Sequence, residues 1–417
     1  MANNTQLVAD VVAKIALPIL ENELGWINTL YRAHEDEFSS EVNGYKKGAS
    51  VRIRRPADFV LRSGATVVTQ DVIEGYTTLT VDKQVGVDFE MSSADQALKD
   101  TDMAERILKP AMSTIANGIM ADVATQMYQG AYNWVGTAGE KINSFADFSV
   151  PAERMDVMAI PQDNRHALLH PQDYWGLLGS QTALFINGPA QDAYRKGNLG
   201  EIGGINTMMS QVTPVHTNGT ADNTTPLVKG ASQEVTYDTA KNTWTQTLLT
   251  DGWDSSATIT AGTVFTIDNV YMVNPKTKAN TGVKQQFVVT ANVTADQTTT
   301  NATSLTISPP LIVTGPHQTV TYAGSLDDQP IVVVGTSATS YRQNLFYHKN
   351  AMALAFVPLA LPDGANGGAR RTYKGISARV QPYYDGTNDI NKWRIDVLYG
   401  RRLIDPRLIV RSSGTSQ

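Results

Sequence analysis

The sequence of 417 residues contains no cysteine. Disulfide bonds and thiolate-bound metal sites are therefore excluded, and stability has to come from packing or from assembly with other chains. No apolar run approaches the roughly 20 residues that a membrane-spanning helix needs. A secretory leader is also missing, because the first basic residue is Lys14, and Pro18 and Glu21 interrupt the apolar run behind it. We expect a soluble chain made in a cytoplasm.

The chain has little net charge, and that charge is negative. The formal value of −6 argues against binding to nucleic acid through a broad basic surface, which needs clustered Lys and Arg. Arginine is missing altogether between Arg195 and Arg342, although it is common on both sides. With 41% hydrophobic residues, the chain can build real cores, and its length predicts two or three domains.

Catalytic motifs are missing as well. None of the six histidines lies in a metal-ligand spacing such as HExxH. His166 and His170 are four apart, but the apolar residues between them favour a strand over a zinc pair. We interpret residues 34–37 as a solvated acidic patch, and the glycines of 197–204 as tight turns and not a dinucleotide loop. The sequence predicts no enzyme and no catalytic, cofactor-binding or metal-binding residues.

The most informative pattern that is present is a switch at Ser92. Apolar residues alternate along Leu79–Met91, with only Lys83 breaking the series, which predicts one long half-buried strand. Apolar residues then recur at steps of four along Met103–Met127, which predicts a long helix. Pro110 either kinks this helix or lies near the start of its straight part.

The segment before this switch predicts an arm and a hairpin. The apolar stripe of Leu7–Ile15 indicates a helix that Pro18 kinks or ends, and Trp26–Tyr31 suggests a second helical piece. From Tyr45 to Met91 the pattern is that of an extended hairpin, too long for an ordinary connection. Its first half is basic and its second half acidic; the charged residues include Arg52, Arg54, Arg55, Arg62, Asp71 and Glu74.

Two interpretations of these charges are possible. They could be a solvated face with internal cross-strand pairs, or a lever that pairs with an adjacent copy of the chain. We favour the lever, and the six residues are our candidates for inter-subunit contacts.

The arginine-free region predicts an inserted all-β domain. It is rich in Thr, Val, Asn and Gly, with short alternating runs and turn signals between them. The predicted strands include Val264–Ile267, Gln286–Thr290, Ser304–Ile307 and Ile331–Val334. The surrounding body has mixed character, with a strand at Asn164–His170, a helix at Pro171–Leu178 and closing strands that include Leu403–Val410.

Several local motifs occur together in one order. They are Gly48–Pro56, Val85–Glu90, Glu105–Pro110, His170–Tyr174, Tyr194–Gly197 leading to Pro214, Phe346–Leu359 and Val397–Arg402. Together they resemble the major coat protein family of tailed double-stranded DNA phages, in the branch typified by the short-tailed transducing phage of Salmonella. The resemblance extends over nearly the whole chain.

This resemblance implies an α+β chain with the Hong Kong 97-type capsid fold and an inserted small, barrel-like all-β domain. The implied domains are an N-terminal arm (1–45), an extended loop hairpin (46–91), a peripheral domain with the spine helix (92–135), a first axial part (136–227), the inserted β domain (228–340), an axial return (341–370) and closing strands (371–417).

It also implies a function and partners. The chain would be a major capsid protein that self-assembles into pentamers and hexamers of an icosahedral shell around DNA that it does not bind specifically. Its partners would be its own copies, a scaffolding protein and a portal protein, with assembly in the host cytoplasm. Asp10 and Glu21 are candidates for the scaffold contact. The alternatives are the shell of a bacterial nanocompartment and, less favoured, a β-rich fibre or adhesin.

Overall fold

The fold is described from a computed structural model of the chain. The structure describes residues 4–35, 38, 41–42, 45–46, 50–67, 69–92, 107–181, 197, 199–221, 226–296, 302–361 and 367–415. Predictions made for Met103, Glu105 and Tyr194–Lys196 lie outside these residues. The chain divides into two compact units. The first comprises Met1–Arg52, Thr78–Val123 and Met352–Arg402, and the second comprises Ile53–Thr77, Ala124–Ala351 and Leu403–Gln417.

Helices and strands are numbered in chain order. The described α-helices are α1 (Asn4–Leu24), α2 (Lys109–Gly130), α3 (Phe145–Val157), α4 (Pro171–Gln181) and α5 (Tyr237–Ala240). The strands are β1 (Glu41–Val42), β2 (Tyr45–Lys46), β3 (Ser50–Arg54), β4 (Tyr76–Ser92), β5 (Asn133–Val135), β6 (Arg165–Leu169), β7 (Glu201–Ile202), β8 (Ile205–Met209), β9 (Val215–Thr217), β10 (Leu227–Val228), β11 (Gln246–Asp251), β12 (Thr258–Ile259), β13 (Val264–Val273), β14 (Asn280–Val289), β15 (Val293–Thr294), β16 (Thr303–Ser308), β17 (Val320–Thr321), β18 (Ile331–Val333), β19 (Ser340–Arg342), β20 (Asn344–His348), β21 (Met352–Val357), β22 (Ala369–Tyr373), β23 (Ile376–Asp385), β24 (Ile390–Leu403) and β25 (Ile409–Ser412).

Helix α1 opens the first unit. Its buried residues recur at helical spacing: Ala9, Val12, Ala13, Ala16, Leu17, Leu20 and Leu24. The helix continues through Pro18, so the alternative that this proline ends it is wrong; burial of the apolar face outweighs the proline cost of about 3 kcal/mol. The helix ends before Gly25, whose backbone is left-handed with φ +46°. A 3₁₀ helix at Gly25–Thr29 takes the place of the predicted second helical piece.

A six-stranded sheet is the framework of the first unit. Its order is β22-β23-β24-β4-β3, and β21 also pairs with β24. The predicted long strand is confirmed, because β4 pairs antiparallel with β24 along most of its length. The register shifts once, where Lys83 lies opposite Tyr399 but Val81 lies opposite Gly400. The bulge at Asp82 thus lies beside the residue that breaks the alternation in the sequence.

The predicted hairpin over Tyr45–Met91 forms only in part. β3 and β4 belong to one sheet, but the described residues between Arg54 and Tyr76 form no strand. Pro56, just after β3, has no backbone N–H to donate to a neighbouring strand. The residues that follow show no sustained alternation of apolar and polar side chains. We call residues 55–75 the extended loop.

Helix α2 confirms the second half of the predicted switch. Its buried face consists of Ala111, Met112, Ile115, Ala116, Ile119, Met120, Val123, Ala124 and Met127. Pro110 is the second residue of the helix, so the alternative that placed it near the helix start is correct. At that position the missing N–H removes no intrahelical hydrogen bond.

The second unit is built on a sheet in the order β5-β25-β20-β6-β8-β7. The predicted strand and helix around His170 are confirmed by β6 and α4. A continuous strand over Leu403–Val410 is wrong, because a 3₁₀ helix at Pro406–Leu408 precedes β25. The side chain of Asp405 caps that turn by accepting a hydrogen bond from the backbone N–H of Arg407.

The arginine-free region forms a mostly β structure within the second unit. Its main sheet has the order β10-β11-β16-β14-β13-β17, with β18 paired to β13, and the four predicted strands coincide with β13, β14, β16 and β18. Phe265, Phe287 and Trp253 lie in a core of its own. The chain enters and leaves next to an antiparallel pair, β9 and β19.

Candidate interaction surfaces

The charged candidates of the extended loop region are mostly exposed. Arg54 lies on β3 and its Nη1 is 3.3 Å from Oε2 of Glu74, in the same chain. The Nη1 of Arg62 donates to the carbonyl oxygens of Gly64 and Thr66 at 2.7 and 2.6 Å. The exposed set consists of Arg52, Arg54, Arg62, Asp71 and Glu74. The structure therefore brings Arg54 and Glu74 together and leaves the set at the surface.

Arg55 differs from the other candidates, because only 6% of it is exposed. Its Nε donates to the carbonyl of Ile404 and its Nη1 to the carbonyl of Lys241, both at 3.0 Å. The guanidinium also lies 6.0 Å from the ring centroid of Trp244. Arg55 is thus bound within its own chain, and its role as a candidate inter-subunit contact stays a prediction.

The extended loop also carries exposed apolar side chains, which the sequence interpretation missed by following the charges. The exposed fractions are 57% for Phe59, 93% for Leu61, 76% for Val67 and 62% for Val72. Exposed apolar groups concentrated in one segment indicate a surface that becomes covered by a partner. The run Phe59-Val60-Leu61 inside a charged segment is the signal in the sequence that could have revealed it.

The two acidic scaffold candidates lie on α1 and form ion pairs within the first unit. Asp10 accepts two hydrogen bonds from the guanidinium of Arg371 on β22. Glu21 lies 3.0 Å from the Nζ of Lys374, between β22 and β23. The hydrogen bond from Arg371 is the main cause that lowers the pKa of Asp10. Both carboxylates are thus paired within the first unit, and Asp10 is the more exposed of the two.

The described histidines take part in no cluster that could bind a metal ion. Among the described residues, no group of three or more His, Cys, Asp or Glu side chains could hold a metal ion. His166 lies against the ring of Tyr347, with centroids 5.6 Å apart. Burial is the main cause that lowers the pKa of both His166 and His170. In the described part of the chain, no helix is long and apolar enough to cross a membrane.

Comparison with known proteins decides the family. Residues 1–411 match the family described as "P22 coat protein - gene protein 5". The chain belongs to the P22 coat protein family. A curated relative, the major capsid protein of Acyrthosiphon pisum secondary endosymbiont phage 1, is 23% identical over 423 residues, with 98% of each chain covered.

Solved structures that this family member resembles include two phage proteins. The match to Mycobacterium phage Che8 has a TM-score of 0.47 and 11% identity, covering 92% of this chain and 89% of that one. The match to the capsid of cyanophage P-SCSP1u has a TM-score of 0.43 and 12% identity, covering 94% and 98%.

Membership of the P22 coat protein family confirms the main expectation from the sequence. The chain is a phage major capsid protein, and its described residues combine α-helices with β-sheets. The Hong Kong 97-type of this fold stays a prediction from the resemblance. Coat proteins of this kind assemble into shells of their own copies, and the chain is a component of the virion. The exposed surfaces of the extended loop and of α1 are therefore the places to look for contacts between chains.

Proposed function

We propose that this chain forms pentamers and hexamers of an icosahedral shell, assembled in the host cytoplasm with a scaffolding protein and one portal ring. The family match over residues 1–411 is the observation that supports this proposal. The role is structural, without catalysis or a cofactor. A net charge of −6 suits a shell that encloses double-stranded DNA without binding it specifically.

The contacts between neighbouring copies are assigned to the extended loop. Its exposed charges have both signs. The loop or a sheet edge of a neighbouring copy therefore offers side chains of the opposite charge. The ion pair between Arg54 and Glu74 is exposed, and such pairs contribute only about 0–1 kcal/mol. Both residues can therefore exchange this contact for one with a neighbour at small cost.

The scaffold contact is assigned to α1, at Asp10 and Glu21. A basic scaffold helix would compete with Arg371 and Lys374 for these carboxylates. Val11 and Ile15 are 48% and 39% exposed on the same helix, and they add an apolar contact beside the charges. Mixed apolar and charged contact of this kind is typical of helix docking.

The experiment is electron microscopy of the chain expressed with and without a candidate scaffolding protein. We expect uniform icosahedral shells with the scaffold, and monomers or irregular particles without it. Closed shells of one size without any scaffold would instead support a nanocompartment. Monomers under both conditions would contradict the proposal.

A further inference from the structure

The base of the extended loop is held at both of its ends by the inserted β structure. The backbone N–H of Arg55 donates to the carbonyl of Gly75 at 2.8 Å, which closes the loop at its base. On the outgoing side, Arg55 donates to the carbonyl of Lys241. On the returning side, the N–H of Tyr76 donates to Oδ1 of Asn242 at 3.1 Å. Neighbouring residues of the insert thus bind both ends of the loop.

The approach at this point is too close for a side chain. A Cβ added to Gly75 would lie 2.2 Å from the carbonyl oxygen of Lys241, which is far below any normal contact. Glycine is therefore required here by the neighbouring backbone. Trp244 lies three residues after Lys241. Its φ of +57° is a left-handed conformation that is strained for a bulky residue. It is only 3% exposed, so its surroundings hold it in that conformation.

Trp244 supports two arginines from different parts of the chain. The guanidinium carbon of Arg407 lies 5.1 Å from its ring centroid and that of Arg55 lies 6.0 Å away. Cations at this distance over an indole ring are attracted to it. The ring thereby joins the loop base to the segment that precedes β25.

Asp58 docks the next part of the loop. Its Oδ2 lies 2.9 Å from Nη1 of Arg407 and 3.4 Å from Nδ1 of His317 in the insert. The ring of Tyr237 stacks on His317 with centroids 3.5 Å apart, which fixes the imidazole. Burial would raise the pKa of Asp58, but His317 and Arg407 outweigh it and lower that pKa. The ionised carboxylate is therefore the stable form in this pocket.

We infer that the inserted β structure positions the extended loop, through a clamp formed by Lys241, Asn242, Trp244 and His317 with Arg407. The clamp holds Arg55, Asp58, Gly75 and Tyr76, and the exposed residues Phe59–Val72 extend from it. Because those residues are the proposed contact surface, the clamp fixes the direction from which the loop meets a neighbour. This last step rests on the proposed function, whereas the clamp itself does not.

The direct test is hydrogen exchange of the purified full-length chain. In Asp58→Asn and Gly75→Ala we expect the hydrogen-bonded amides at the loop base, those of Arg55 and Tyr76, to exchange at least about tenfold faster than in wild type, because the base opens locally without global unfolding. Asp268→Asn is the matched control, since it removes the exposed ion pair to Lys284 elsewhere in the insert. Unchanged loop exchange in Asp58→Asn would overturn the clamp. This near-isosteric variant remains informative even if Gly75→Ala fails to fold.

A second readout tests the link to assembly. With the scaffold co-expressed, Asp58→Asn should give more aberrant or open particles than Asp268→Asn. Faster loop exchange together with normal particles would overturn the positioning role while leaving the clamp intact. Absence of shells from the wild-type chain would contradict the proposed function, and the exchange result would still decide the clamp.

Discussion

At the scale of single residues, Asp396 on β24 is a buried carboxylate of the first unit that pairs with two arginines. Only 3% of its side chain is exposed, and Oδ2 lies 2.5 Å from Arg379 and 2.8 Å from Arg394. One carboxylate thus neutralises two guanidinium groups on adjacent strands. Removing its charge would leave both cations without their nearest counter-ion.

We predict that Asp396→Asn lowers the free energy of unfolding by about 2–3 kcal/mol, because breaking a buried ion pair costs about 3–5 kcal/mol and Arg394 is half-exposed. Urea unfolding of the unassembled chain at pH 7 measures this change in the free energy of unfolding. The control is Asp88→Asn, an exposed carboxylate opposite Arg394 in the ladder, which should change stability by less than about 0.5 kcal/mol. Equal effects of the two changes would refute the argument from burial.

The same residue predicts a pH dependence. Burial would raise the pKa of Asp396, but hydrogen bonds from Arg379 and Arg394 outweigh it and lower that pKa. A group with a lowered folded pKa stabilises above its unfolded pKa of about 3.9 and loses this contribution as the pH falls through the folded pKa. Between pH 5 and 2.5 the free energy of unfolding should therefore fall more steeply for wild type than for Asp396→Asn. Parallel curves would contradict the assignment.

The sequence alone could indicate which charged residues pair only where residues that lie close in space are also close in the sequence. The basic and acidic halves around Arg54 and Glu74 lie 20 residues apart, and their segregation is visible. Asp10 and Arg371 are 361 residues apart, and no periodicity relates them. The burial of Arg55 next to the exposed Arg54 depends on the clamp, which forms only when distant segments of the chain meet.

At the scale of elements, long regular patterns were predicted well and short irregular ones were not. The strand β4 and helix α2 each repeat one period over many residues, so the pattern outweighs single exceptions such as Lys83. Pro18 was given too much weight, because the apolar face of α1 on the sheet stabilises the helix beyond it. Residues 55–75 and the 3₁₀ turn at Pro406–Leu408 lack a period, and tertiary contacts determine them.

The inserted β structure leads to the element-scale prediction. It has its own core, which includes Leu248, Phe265, Phe287 and Ile307. A fragment spanning Thr213–Arg342 keeps this core and the β9–β19 pair, and it is large enough for a domain. We expect it to unfold cooperatively in urea when monitored by circular dichroism and by tryptophan fluorescence.

This fragment should nevertheless be less stable than the insert within the full chain. Val264, Met272 and Val288 belong to the core of the surrounding body, and Gln286 exchanges two hydrogen bonds of 2.7 Å with the backbone of Trp134. These contacts are lost on excision. Transitions at different urea concentrations for the two probes, or no transition, would show that the insert depends on the body to fold.

At the scale of the whole molecule, the chain combines the sheets of its two units with a loop whose described residues form no strand. The sheets bury most of their apolar residues, whereas the extended loop exposes five, namely Phe59, Val60, Leu61, Val67 and Val72. A chain that functioned alone would have no reason to keep these side chains in water. In a shell protein the same feature is expected, since burial at the interface between copies contributes to association.

The exposed apolar side chains of this loop lead to the last prediction. Leu61 is 93% exposed, so Leu61→Asp should leave the free energy of unfolding of the unassembled chain within about 0.5 kcal/mol of wild type. An aspartate at an interface would be buried without a partner, so we expect few or no closed shells by electron microscopy. Thr247→Asp, at an exposed polar position of β11 outside the loop, is the control for added charge and should still assemble. Normal shells from Leu61→Asp would mean that the side chain at position 61 stays in solvent after assembly, and that the charged residues alone make the contact.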